Sequence, residues 1–376
     1  MVAELDGVRA GVLHTPHGDV PTPAFMPVGT RGSVRGLVAS ELREIGSSIV
    51  LSNTYHLWER PGHDRIEALG GLHRMMRWSG PILTDSGGYQ VFSLSKHTKV
   101  DEEGVAFRSV LDGAKRKLTP ELAVQIQEAL GVDIAMALDE CIEKEASPQR
   151  VAASTARTTR WLARCEAARA RRDRTALFGI VQGGMDAATR AAHANEIAAL
   201  DLDGYAIGGL SVGEGHDRMI EMATVAAEAL PKDRVRYLMG VGHPMDIAEA
   251  VTRGIDMFDC VLPTRAGRHG QAYTSEGRLN LRNKRFAEDD GPLDPGSAGS
   301  PGNDACRAWL RHLTVCEEME GMRLLTLHNL WFYQDLMARI RAAVVAGDVV
   351  ALAAARERAR VATGTAATLA ASVEGG

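Results

Sequence analysis

Residues 80–90 read GPILTDSGGYQ, a short unbroken apolar run that stops at a carboxylate, Asp85, and a Gly-rich turn. The same arrangement recurs along the chain: DIAMALDEC (133–141), ALFGIVQGG (176–184), GYAIGGL (204–210), VRYLMGVG (235–242) and MFDCVLPTR (257–265), with SSIVLSNTYH (47–56) ahead of them. A strand without polar alternation is buried on both faces, as in a parallel sheet covered by helices. Strands that each finish in polar groups bring those groups to one rim, and in a closed α/β barrel that rim carries the chemistry. Asp85, Asp139, Gln182, Gly209 and Asp259 are therefore expected around one cavity, although they are far apart in sequence.

Helical stretches with 3.6-residue spacing separate the runs, among them TPELAVQIQEAL (119–130) and SPQRVAASTARTTRWLARCEAARARR (147–172). Ser147 and Pro148 make an N-cap and first-turn pair for the second of these. Alternating strands and helices imply parallel pairing with right-handed crossovers. The fold class expected is α/β, a (β/α)8 barrel over residues 1–376, with an N-terminal hairpin within residues 8–30 leading to a first strand in TPAFMPVGT (22–30). Residues 286–304, FAEDDGPLDPGSAGSPGND, interrupt the pattern as a loop or mobile linker, and helices resume in 306–321 and 323–345. From Ala351 the chain is Ala-rich and ends in VEGG, which reads as a fraying helix.

With 376 residues and 45% hydrophobic content the chain can bury one large core. It has no apolar stretch of the roughly 18 residues that a membrane span needs, and its start lacks a signal-peptide pattern. Five Cys in such a length do not make a disulfide framework; a reduced, cytoplasmic enzyme is expected. A net charge of -5 excludes a general nucleic-acid coat but not a local basic patch, for which Arg265, Arg268, Arg278, Arg282, Lys284 and Arg285 are candidates.

Asp85 and Asp259 suit chemistry at an anomeric carbon, where one carboxylate attacks C1′ and the other moves a proton. A single Asp at a strand end is more often a cap or turn residue; two, with Asp139 as a third on the same rim, are harder to explain that way. Asp139 can accept from N1–H and the 2-amino group of guanine, while the Gln182 amide and the Gly209 N–H can donate to O6. Gly208 and Gly209 allow close backbone approach, and Tyr89 and Met239 can sandwich a flat base.

Taken with SNTYHLWERPG (52–62), LTDSGGYQVFSL (83–94), YAIGGLSVGEG (205–215), GIDMFDCVLPTRAGRHGQ (254–271) and LLTLHN (324–329), these strings make the chain resemble the bacterial tRNA-guanine transglycosylases along nearly its whole length. The resemblance implies a barrel enzyme that flips out the tRNA wobble nucleotide and replaces its guanine with a 7-deazaguanine. Position by position, it makes Asp259 the nucleophile and Asp85 the general acid/base. Asp139, Gln182, Gly209 and Leu210 become base-binding groups, and Tyr89 and Met239 the stacking pair. Cys141 and Val212 would form the pocket wall for 7-aminomethyl-7-deazaguanine, and Glu214 would set the peptide at Leu210. Arg265 and Arg268 would hold the flanking uridines.

One stretch departs from the family. Its members carry a structural zinc on three Cys and a His, whereas residues 280–330, the equivalent inserted subdomain, have Ser297, Gly299 and Gly302 at the thiolate positions and only His328 remaining. Ser and Gly supply no thiolate or imidazole, so neither metal nor other cofactor is expected, and His328 reads as a hydrogen-bonded helix histidine. Cys306, His312 and Cys316 lie close enough in sequence to be weighed as a rebuilt site. Loss of zinc energy suggests a mobile 290–304 segment and an altered dimer or tRNA grip. His269 also stands where the family usually has Asn. Alternatives remain open at this point: the same exchange on a small guanosine nucleotide, a non-catalytic partner subunit, and a plain retaining glycosidase. A homodimer is possible.

Overall fold

In the computed structural model, residues 1–94, 98–143 and 145–364 are described. The apolar runs form eight parallel strands: β1 (Ala24–Pro27), β2 (Val50–Ser52), β3 (Ile82–Thr84), β4 (Ile134–Met136), β5 (Ala176–Val181), β6 (Gly204–Ile207), β7 (Val235–Leu238) and β8 (Met257–Cys260). Each pairs with its sequence neighbour, β8 pairs with β1, and a bridge from Val28 to Leu51 joins β1 to β2, closing the ring. The chain is thus an α/β barrel of the expected class.

Side-chain alternation explains the continuous apolarity. Met26, Leu51, Leu83, Met136, Phe178, Ile180, Ala206, Tyr237 and Met257 fill the barrel interior. The alternate residues, including Phe25, Val50, Ile82, Ala135, Val181, Ile207, Leu238 and Phe258, pack outward under the helices. Extending the inward parity by two residues from Leu83, Ile180, Ala206, Tyr237 and Met257 reaches Asp85, Gln182, Gly208, Met239 and Asp259. The polar rim is the next layer of the same stack.

The predicted helices form at Pro120–Leu130, capped by Thr119, and Pro148–Ala168, where Ser147 Oγ accepts from Arg150 N at 3.3 Å. The N-terminal hairpin is Val8–Thr15 with Gly18–Thr22, and Ala3–Leu5 adds a third strand to it. A second antiparallel sheet, Lys99–Asp101, Gly104–Arg108 and Lys115–Leu118, was not read from the sequence.

Opposite the rim, the buried Asp133 carboxylate ties the hairpin to the barrel floor. Oδ1 accepts from His17 N (3.0 Å) and pairs with His17 Nδ1 (2.9 Å); Oδ2 pairs with His73 Nε2 (3.0 Å) and accepts from Ile82 N (2.8 Å). Burial alone would raise this carboxyl, but those bonds outweigh it and hold the group below its ordinary value. The spacing is one a metal could use, yet the hydrogen bonds already occupy both oxygens twice.

Residues 286–304 form a loop, but one built into a buried polar network rather than a loose linker. Asp294 accepts from Ser275 N at 3.1 Å and from the Ser275 and Ser297 hydroxyls. Arg358, on the helix Val349–Thr363, donates to Ser297 Oγ at 2.5 Å and lies 3.7 Å from Asp294. Asn303 Nδ2 donates to Asp294 O and Ser297 O at 2.8 and 2.9 Å. This set does not fit a zinc ion. Ser297 is engaged, and a Cβ on Gly302 would stand 2.8 Å from Leu293 Cδ2 and 3.1 Å from His328 Cβ. Both His328 nitrogens are used, Nδ1 with Ser300 Oγ at 2.6 Å and Nε2 with Tyr273 O at 2.8 Å. Cys306 and Cys316 have other partners: Cys306 Sγ caps Trp309 N, and Cys316 lies 3.8 Å from His312 Nδ1.

The Ala-rich tail forms the expected helix. As far as Thr363 it is a packed helix with Leu352, Ala355, Ala359 and Ala362 buried; its last residues lie outside those described. Among the described residues no helix is long and apolar enough to cross a membrane.

Candidate active site

The carboxylates that end β3 and β8 are held in different ways. Asp85 is nearly buried; its Oδ1 accepts from Thr54 N at 2.9 Å and its Oδ2 from Asn53 Nδ2. Burial is the main force on its acidity, opposed by the Asn53 and Thr54 bonds and reinforced by the charge of Asp259, and the result is a pKa of about 6. Asp259 is partly exposed at the mouth. Its Oδ1 accepts from the Tyr237 hydroxyl at 2.6 Å and from Gly240 N at 2.7 Å. Burial raises its pKa and these two donors lower it. Both donors use Oδ1, so among the described residues Oδ2 has no hydrogen-bond donor. One carboxyl near neutrality beside one with a free, oriented oxygen is the separation that acid/base and nucleophilic roles require.

Asp139 lies just beyond β4, where the chain has left the strand. Its Oδ1 accepts from Ser86 Oγ at 3.1 Å; its Oδ2 accepts from Gln182 Nε2 at 2.7 Å and faces the Cys141 thiol at 3.5 Å. Burial raises Asp139, and burial together with Asp139's charge pushes the Cys141 thiol well up, so that it stays protonated. One Gln182 N–H is thus committed to Asp139 and the other is left for a ligand. A further constraint acts on Gly208 and Gly209: a Cβ would stand 2.8 Å from Ile180 Cγ2 at the first, and the second has a φ of +67°, which strains any L side chain.

Leu210 is buried beneath the loop, while Val212 sits on its rim at 42% exposure. Glu214 accepts from Ser211 N and from Val212 N (2.8 Å), and the first of these bonds holds the Leu210–Ser211 peptide. Tyr89 is 54% exposed on the first turn of the helix Gly88–Leu94, and Met239 is partly buried beyond β7.

Arg265 and Arg268 lie on the helix Leu262–Arg268. Burial lowers the Arg268 pKa, and the charges of Arg35 and Arg265 lower it further. The charges of Arg31 and Arg35 also reach His56, whose pKa burial has already lowered. Among the described residues none of these four arginines has a carboxylate partner, and Arg268 Nη1 is buried without any partner. Such a concentration of unpaired cations fits a polyanion. The basic run read from the sequence divides: Arg282 lies 3.6 Å from Glu317 and Arg285 stacks 4.6 Å from the Phe286 ring, whereas Arg265 and Arg268 stay at the site. Sequence reading missed Asn53, Ser86, Tyr237, Arg31 and Arg35. The signal for Tyr237 was available, since it shares the inward parity of Met239 and pairs with Met257.

A profile of the queuine tRNA-ribosyltransferases matches residues 6–362. The queuine tRNA-ribosyltransferase of Pelotomaculum thermopropionicum is 53% identical over 92% of this chain and 94% of its own. Those of Symbiobacterium thermophilum (52%; 90% and 85%) and Caulobacter vibrioides (51%; 90% and 92%) are similar to the same extent. With its barrel, its paired carboxylates and this likeness along almost the entire chain, the protein belongs to the queuine tRNA-ribosyltransferase family.

Proposed function

We propose that the chain exchanges guanine for 7-aminomethyl-7-deazaguanine at the wobble position of a tRNA anticodon, through an ester between Asp259 and the ribose. The observation that carries this reading is the single-sided bonding of Asp259, which leaves Oδ2 free beside a second carboxyl of pKa about 6. Asp259 Oδ2 attacks C1′ as the C1′–N9 bond breaks; the electron pair leaves with guanine, which takes the proton of Asp85. The incoming base gives its N9 proton to Asp85, its nitrogen attacks C1′, and the ester opens to restore Asp259. Asp139 and Gln182 read the purine edge with Gly209, Tyr89 and Met239 cover its faces, and Cys141, Val212 and Leu210 surround the 7-substituent. Arg31 and Arg35 join Arg265 and Arg268 on the phosphates, a cluster larger than a mononucleotide requires.

The inserted subdomain, 280–330, belongs to this reading as a metal-free support, with the Asp294–Ser297–Arg358 network in place of a zinc. That packing supports tRNA over the alternative of a small guanosine nucleotide, which a damaged tRNA-side subdomain would have favoured. Trp309, Val315 and Met319 leave apolar surface exposed there, which supports self-association as a homodimer. The test is incubation with radiolabelled guanine and either unmodified tRNA or guanosine monophosphate. Label in tRNA is expected; label in the mononucleotide alone overturns the choice of acceptor. Retained exchange in Asp259→Asn overturns the mechanism.

A further inference from the structure

The helix Ala187–Ala198, between β5 and β6, carries two buried polar side chains on its inner face, Arg190 and His193. Arg190 spans the two loops that read the purine. Nη1 donates to Gly208 O at 3.1 Å and Nη2 to Gly184 O at 2.7 Å, while Nε has no partner. His193 Nδ1 accepts from Gln182 N at 2.9 Å; burial lowers its pKa to about 4, so the ring stays neutral with its proton on Nε2. Gly183 admits the helix at this point, since a Cβ there would stand 2.7 Å from Arg190 Cα.

A fully buried guanidinium with no carboxylate in hydrogen-bond contact is costly to keep. Glu214 is the anion that acts on it from a distance. The carbonyl of Gly208 and the N–H of Gly209 belong to one trans peptide and point in opposite directions. Holding the carbonyl against Arg190 therefore turns the Gly209 N–H away from the helix, and among the described residues that N–H has no partner.

We propose that Arg190 is a positioning residue for base exchange: it orients and polarises the Gly208–Gly209 peptide so that the Gly209 N–H meets purine O6, where negative charge gathers as the base leaves. The inference rests on the exchange reading above. Its action resembles an oxyanion hole with the cation one peptide removed from the ligand.

The test compares guanine with 6-thioguanine, which keeps N1–H and the 2-amino group but presents a sulfur, a poor acceptor, in place of O6. Affinities come from competition against radiolabelled guanine exchange into tRNA, for the wild type, Arg190→Lys and Arg190→Gln. In Arg190→Gln the preference for guanine over 6-thioguanine falls about tenfold, the difference between a charge-assisted and a neutral donor. The kcat falls with it, KM for tRNA holds, and Arg190→Lys recovers part of the preference. Equal weakening of both bases, with the preference unchanged, reduces Arg190 to a structural residue and overturns the proposal. If neither variant folds, wild-type crystals with guanine decide. Gly209 N is expected within about 3.2 Å of O6 with Arg190 still on Gly208 O, and a reversed peptide overturns it. Wild-type protein that binds no guanine sinks the exchange reading and this one together; guanine binding with an unaltered preference sinks this one alone.

Discussion

Tyr237→Phe removes one donor from Asp259 and leaves the other, Gly240 N, in place at 2.7 Å. The carboxylate then keeps its orientation but loses a hydrogen bond that favours its ionised form. A bond to a charged group is worth about 1.5–3 kcal/mol, and about 1.4 kcal/mol corresponds to one pKa unit. The Asp259 pKa, already raised by burial, should therefore rise by about 1–2 units more. Attack requires the ionised form, so the acid limb of kcat/KM should move to higher pH by that amount. Below the limb the loss reaches about 10- to 100-fold; above it the rates converge, because the carboxylate that remains is the more basic nucleophile. Label exchange into tRNA measured from acid to mildly alkaline pH reads this directly. Two limbs are expected in the wild type, and they belong to the Asp85–Asp259 pair jointly. A loss independent of pH, or an acid limb that does not move, would refute the argument that Tyr237 sets the ionisation of Asp259.

Other outcomes follow from the same geometry. Asp85→Asn should lower exchange by about a hundred- to ten-thousand-fold and flatten the limb near its pKa of about 6; an unchanged profile would remove it from proton transfer. Arg35→Ala and Arg268→Ala should each raise KM for tRNA and reduce the salt slope by about one. Guanine affinity should hold in both, and a change there would place these arginines in the base pocket. Arg358→Met removes the guanidinium from the buried network but leaves Asp294 its Ser275 and Ser297 donors, so it should cost about 1–3 kcal/mol in urea unfolding, whereas chelator treatment of the wild type should leave its melting temperature where it was. A drop on chelation would show that a metal supports the subdomain.

The sequence alone determined the barrel, because uninterrupted apolar runs leave a strand no face for water, and their polar ends had to share one rim. It also singled out Asp85, Asp139, Gln182 and Asp259, since each stands where such a run stops. Four matters were decided only by tertiary structure. The free oxygen of Asp259 depends on a tyrosine from the neighbouring strand and a backbone N–H after it. The pKa of Asp85 depends on its own burial and on the charge of Asp259. The loop 286–304, which composition marks as loose, is held by Ser275 and Arg358 from elsewhere in the chain. Arg190 sits in an unremarkable stretch of helix and gains its place between Gly184 and Gly208 only when β5 and β6 lie side by side. Periodicity records which face of an element is dry; partners brought together by folding leave no local mark, because their energy arises only when distant segments exclude water together.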